Sequence, residues 1–148
     1  MADLNAVYAE MQLLDYKIKS ILHLSSYEEY DDLSGLHIDY EDGQQIFLQK
    51  ELMNILKNLS DVHSRLEYLS RPVKETSRLH RNGSGRYETE QGHCYTCGSR
   101  IEALVTDSSE EVPYWVRTSV EHDGSDYFLV GCKNVCMDGL TVRVREAV

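Results

Sequence analysis

Apolar residues first recur along this chain with a helical period. Val7, Met11, Leu14, Ile18 and Ile21 follow one another at alternating spacings of four and three, one stripe of an amphipathic helix. The pattern breaks across "SSYEEYDDLSGLHIDYEDG", residues 25–43, and then resumes with Leu48, Leu52, Ile55, Leu59, Val62, Leu66 and Leu69. Asp42 is placed to cap this second, longer helix. Pro72 disfavours helix at the residue before it and sets the stop near Ser70. Two such seams pack most simply on each other as an antiparallel helical hairpin. A parallel coiled-coil dimer through the second helix is the competing use of the same stripe. The hairpin, and with it a monomer, is favoured because the first helix needs somewhere to bury its own face.

From Lys74 onward the period changes to two. Ile101, Ala103 and Val105 alternate with polar or outward positions, and Tyr114, Val116, Thr118 and Val120 alternate with Trp115, Arg117, Ser119 and Glu121. Tyr127 to Val130 is a short apolar run, and Leu140, Val142 and Val144 alternate with Thr141, Arg143 and Arg145. These are strand patterns. Asn82-Gly83, Asp123-Gly124 and Asp138-Gly139 are turn dipeptides, with Asp123-Gly124 the best hairpin candidate. The expected fold class is α+β. Residues 1–72 form an acidic helical hairpin, and residues 73–148 form a small antiparallel β domain of about four to six strands.

Charge sharpens this division. The 148 residues carry a formal net charge of −10. Residues 1–70 hold 13 acids and 5 bases, a net of −8, and residues 71–148 hold 12 acids and 10 bases, a net of −2. Such a chain repels nucleic acid at long range unless it presents a local basic face, and it is drawn to basic protein surfaces. No apolar run approaches the roughly 20 residues that span a bilayer. The N-terminus lacks the basic region and apolar run of a secretory signal. A soluble, cytoplasmic protein is expected, and in that compartment four cysteines are metal ligands or free thiols before they are disulfides.

The cysteines form two pairs, Cys94-Tyr95-Thr96-Cys97 and Cys132-Lys133-Asn134-Val135-Cys136, with 34 residues between them. Each pair sits in a gap of the strand pattern beside turn residues. Short loops presenting two thiolates each are the usual way to build a tetrahedral zinc site, and Gly98 suits the turn of such a loop. Structural Zn2+ on Cys94, Cys97, Cys132 and Cys136 is the expectation, stapling the β domain. A redox dithiol would require the first pair at a helix N-terminus, whereas a strand pattern follows it. Free buried thiols are the remaining alternative. His93 is left outside the shell, since adjacent residues seldom both reach one metal. A closed four-thiolate site has no open position for water, so it does not catalyse. No hydrolase or deaminase zinc signature occurs, and no catalytic constellation stands out, so an enzyme is not expected.

Two charged segments remain. Residues 26–42 hold seven acids, three tyrosines and no Lys or Arg. Glu28, Glu29, Asp31, Asp32, Asp39, Glu41 and Asp42 are candidate contacts for a basic protein groove, against the plain reading of a solvated loop. Residues 71–86 carry five bases and one acid. Arg78, Arg81 and Arg86 are candidate nucleic-acid or phosphate contacts, against the plain reading of a seam pairing with the acidic helices.

The stretches "RLEYLSRPVKETSRLHRNGSGRYE", "YTCGSRIEALV" and "YWVRTSVEHDGSDYFLVG" resemble a small domain of unknown function carried by conjugative and integrative elements of Gram-positive bacteria. The resemblance spans roughly residues 65 to 145. Mobile elements of this kind also encode anti-CRISPR proteins, and a small acidic zinc-bearing chain is similar to some inhibitors of type II effector nucleases. The resemblance implies a non-enzymatic anti-CRISPR inhibitor that meets a CRISPR effector nuclease through its acidic surface and blocks nucleic-acid loading. The alternative is a zinc-ribbon-like nucleic-acid-binding accessory protein of a mobile element, using Arg78, Arg81, Arg86, Arg143 and Arg145.

Overall fold

The computed structural model describes residues 1, 3–27, 33–106 and 112–147. The chain divides into two compact units, Met1–Arg71 and Pro72–Val148. The described residues are two helices followed by antiparallel β-sheets, an α+β arrangement.

In the first unit, helix α1 spans Leu4–Ser25 and helix α2 spans Gly43–Ser70. Asp3 caps α1 by accepting from the Ala6 N–H at 2.8 Å, and Asp42 caps α2 through the Gln44 N–H at 2.9 Å. Each cap satisfies a donor that has no partner inside its helix. α1 ends where Ser26 enters the left-handed region with φ 51°. The helices run antiparallel. The Tyr8 hydroxyl donates to the Leu69 carbonyl at 3.1 Å, Gln12 Nε2 to the Leu66 carbonyl at 3.2 Å, and His63 Nδ1 lies 2.9 Å from Asp15 Oδ1.

The apolar stripes do not lie wholly on this contact. Ile18, Leu56 and Leu66 are buried, but Val7, Met11, Leu14, Leu48, Leu52, Ile55, Val62 and Leu69 remain 40–50% exposed. Gln12, Asp15 and His63 take part of the line where the helices meet. Two helices share only one line of contact, while each stripe is a face of about 100°. The surplus therefore faces outward.

Among its described residues the second unit contains eight strands: β1 (Val73–Arg78), β2 (His80–Arg81), β3 (Tyr87–Glu88), β4 (Cys94–Tyr95), β5 (Arg100–Val105), β6 (Tyr114–His122), β7 (Tyr127–Leu129) and β8 (Thr141–Arg145). A five-stranded sheet has the order β1-β8-β5-β6-β7, and a three-stranded sheet has the order β2-β3-β4. All pairings are antiparallel. The last strand thus inserts between the first strand of the unit and β5. Asp123-Gly124 turns β6 into β7, with the Asp123 carboxylate accepting from the Ser125 and Asp126 N–H groups. Those hydrogen bonds hold its pKa well below the usual carboxylate range.

Period-two alternation decides which side chains enter the core. Ile101, Ala103 and Val105 of β5 and Val142 of β8 point to the same side, where Leu79, Tyr87, Tyr95, Val120, Leu129 and Met137 complete one cluster. The same side holds one buried acid. Glu75 of β1 accepts from the Ser77 and Thr89 hydroxyls at 2.7 and 2.9 Å and from the Gln91 N–H at 3.1 Å. Desolvation pushes its pKa up, but the three donors outweigh it and the net shift is downward. This carboxylate ties β1 to the turn at residues 89–91.

The cluster gives a direct contrast between neighbouring positions. Leu129 is fully buried while Val130 is 46% exposed. Leu129→Ala is expected to cost about 3 kcal/mol in urea unfolding. Val130→Ala should change stability by less than about 0.5 kcal/mol.

Candidate functional site

The four thiols are unbonded to one another; Cys94, Cys97 and Cys136 are exposed, and Cys132 is half-buried against the core. The first pair is attached to the β5 side of β6. The Gly98 N–H donates to the Val120 carbonyl at 2.7 Å, and the Val120 N–H to the Ser99 carbonyl at 2.8 Å. The second pair follows β7, on the other side of β6. Leu129 is the register partner of Val120, and Cys132 is bridged to Leu129. Cys132 also lines a hollow with Val105, Tyr114 and Val135. Four thiolates on one zinc ion hold their sulfurs only about 4 Å apart.

Among the described residues, no group of three or more His, Cys, Asp or Glu side chains is placed to hold a metal ion. The four-cysteine zinc centre is thus not shown. The backbone around the first pair does have the expected turn, with Gly98 at φ 86°. The Cys97 thiol donates to Glu121 Oε2 at 2.9 Å. That hydrogen bond pushes its pKa up. His93 stacks edge-on against Tyr95, with ring centroids 4.9 Å apart.

Of the acidic set, Glu28, Glu29, Asp31 and Asp32 lie outside the described residues. Asp39, Glu41 and Asp42 are exposed, and two of them serve the backbone. Asp39 accepts from the Glu41 N–H at 3.0 Å, and Asp42 caps α2. Of the basic segment, Arg81 pairs with Asp126, donates to the Tyr87 hydroxyl at 3.1 Å and covers the Tyr87 ring at 5.2 Å. Its acid partner thus belongs to the β unit. Arg78 and Arg86 are exposed.

The structure brings together a different set. Cross-strand partners share a face of a sheet. Thr76, Arg143, Glu102 and Arg117 form one row across β1, β8, β5 and β6. One step along the strands, Arg78 and Thr141 are partners, as are Leu104 and Trp115. One step the other way, Arg100 partners Ser119, and Arg145 follows two residues after Arg143. The face opposite the core therefore carries Arg78, Arg100, Arg117, Arg143 and Arg145, drawn from four strands.

Glu102, only 4% exposed, sits among them. One of its oxygens accepts from Arg143 Nε and the other from Arg145 Nε at 2.7 Å. The Arg143 guanidinium lies over the Trp115 ring at 4.2 Å from its centroid. Arg100 donates to the Ser119 hydroxyl at 3.0 Å. At the β7 edge, Phe128 is the partner of Glu121, and Lys133 covers the Phe128 ring at 4.9 Å. Five arginines thus share this face, two of them paired with one buried carboxylate, and Glu121 lies at its margin. The surface is basic on a chain whose net charge is −10.

Arg143 and Arg145 are legible in the sequence as strand arginines, but Arg100, Arg117 and Trp115 are missed there. Their signal was the period: each occupies the outward parity of its strand. That parity becomes one surface only when the strand order is known.

Residues 77–144 match a family described as a domain of unknown function (DUF5348). The match runs from the end of β1 into β8, and so takes in nearly all of the β unit and none of the helices. No curated protein matches the chain, and no solved structure does.

Two outcomes follow for the thiols. Glu121→Gln removes the carboxylate that holds the Cys97 proton, so Cys97 should be alkylated several-fold faster at pH 8, as read by site-resolved mass spectrometry. An unchanged rate would mean that the contact does not govern the thiol. Metal analysis of protein purified without chelators tests the zinc expectation, and less than about 0.2 zinc per chain would overturn it. Close to one zinc, lost on Cys136→Ser, would show that the two pairs close on a metal.

Proposed function

We propose that this chain is a non-enzymatic binding protein that takes a single-stranded nucleic acid on the arginine-bearing face of its five-stranded sheet. The observation that carries this reading is the gathering of five arginines from four strands around one tryptophan, with a single acid buried beneath them. Guanidinium forks match phosphate geometry and also stack on bases. A flat sheet with planar side chains suits splayed single strands, whereas a duplex is usually entered by a helix or ribbon that reaches into a groove. Trp115 and Phe128, each beneath a cation, supply the planes.

Burial of Glu102 supports the same reading. Its two ion pairs fix the Arg143 and Arg145 side chains, which lowers the entropy lost when a ligand meets them. The acidic remainder of the chain opposes loose wrapping by nucleic acid, so contact is confined to this face. This is the accessory-protein reading of the sequence, keeping Arg78, Arg143 and Arg145 and taking Arg100 and Arg117 in place of Arg81 and Arg86. The inhibitor reading depends on an acidic segment whose residues 28–32 lie outside the described structure, and the geometry adds no contact in its favour.

Trp115 is the chain's one tryptophan, so its fluorescence reports on the face directly. Oligothymidylate or an RNA oligomer of about 20 nucleotides, added at about 30 mM salt, should change that emission in a saturable way. The dependence of log K on log salt should have a slope of about −2 to −3, as for three or four phosphates. Arg100→Glu with Arg117→Glu is expected to weaken binding more than about tenfold while leaving Glu102 paired. Tighter binding to a duplex of the same length would overturn the single-strand assignment. No binding at low salt would overturn the nucleic-acid reading itself.

A further inference from the structure

Along α2, Leu48, Ile55, Val62 and Leu69 recur every seven residues, and all four are 40–48% exposed. On α1, Val7 and Leu14 are likewise seven apart and 47% and 50% exposed. A strict seven-residue repeat of apolar side chains is the seam of a left-handed helical bundle. α2 has 28 residues, about 42 Å of helix, so its seam offers four successive layers. The partner helix within the hairpin does not cover it, because the contact between α1 and α2 runs through Gln12, Asp15, Ile18, Leu56 and His63 instead.

We infer that this face is the interface of a homodimer, in which two hairpins close as a four-helix bundle. Three features select a second copy of the chain as the occupant. Eight apolar side chains of the two helices, Val7, Met11, Leu14, Leu48, Leu52, Ile55, Val62 and Leu69, are 40–50% exposed, a larger patch than a monomer ordinarily leaves in water. The face combines a stripe from each of two antiparallel helices, which a two-fold axis brings onto itself as a four-helix arrangement. The groove between the helices has Arg65 in its lining, and the adjoining hollow on α1 has Glu10. A rim of both signs is complementary to its own copy, where a rim of one sign would repel it. This inference concerns the helical unit alone and does not depend on the nucleic-acid reading. It reverses the monomer expected from the sequence.

The test is the mass of the full chain in solution, by sedimentation equilibrium across about 1–100 µM. A mass near twice 17.0 kDa is expected, with an unfolding temperature that rises with protein concentration. Val62→Glu and Ile55→Glu, made separately, should each shift the dissociation constant upward by more than about 100-fold. Arg100→Glu, on the sheet face, should leave it unchanged. A 17.0 kDa monomer throughout the range would overturn the proposal, whether another segment of the chain or a different protein covers the face. So would a dimer that survives both helix variants or is lost with Arg100→Glu. If a helix variant loses its far-ultraviolet helical signal, the concentration dependence of the wild-type mass and melting temperature decides alone.

Discussion

Glu102 is the residue on which the outer face of the sheet depends. It sits in the central strand of the five, nearly removed from water, and each of its oxygens accepts from a different arginine of β8. A carboxylate so buried is tolerated only when it is paired and hydrogen-bonded. Arg143 and Arg145 meet that requirement, and Arg143 is held a second time by the Trp115 ring. Replacing Glu102 by an apolar residue would free two guanidinium groups and loosen the surface. The carboxylate cancels one charge while ordering two, so the face keeps a net positive field with restricted side chains.

The two units handle surplus surface in opposite ways. In the β unit, alternation sends apolar residues inward and arginines outward, and a second small sheet closes over the core. Among the described residues of the helical unit, no third helix or sheet lies over the pair. Polar residues take part of the α1–α2 contact line, and an apolar seam is left facing outward. A basic sheet face and an apolar helical face are distinct kinds of surface, suited to distinct kinds of ligand. Were both occupied, a dimer would present two sheet faces and gain avidity for one long strand without any new contact.

Much of this architecture was legible from local pattern. Asp42 as a cap, the helix stop before Pro72, the Asp123-Gly124 hairpin and the strands at 101–105 and 114–121 all follow from residues within one or two turns of each other. What the sequence concealed is non-local. The pairing of β8 with both β1 and β5 joins residues 39 or more positions apart, and it is this insertion that merges Arg78, Arg100, Arg117 and Arg143 into one surface. The cysteines illustrate the converse. C-x2-C and C-x3-C spacing defines each loop but not how far apart the fold places the two loops, and among the described residues no group that could hold a metal is formed. Amphipathic stripes were similarly readable as helices. Whether a stripe meets its neighbour or a second copy depends on its rotation about the helix axis, which spacing alone leaves free.

The central claim is that the sheet face opposite the core is a binding surface for single strands. Backbone and side-chain nitrogen chemical shifts of the labelled full chain, followed while an oligothymidylate is added, test it at the residues concerned. The account expects the largest changes at the Trp115 indole N–H and the Arg100 and Arg117 side-chain Nε–H groups, with helix α2 little altered. Changes confined to residues 26–42, or none at low salt, would contradict it.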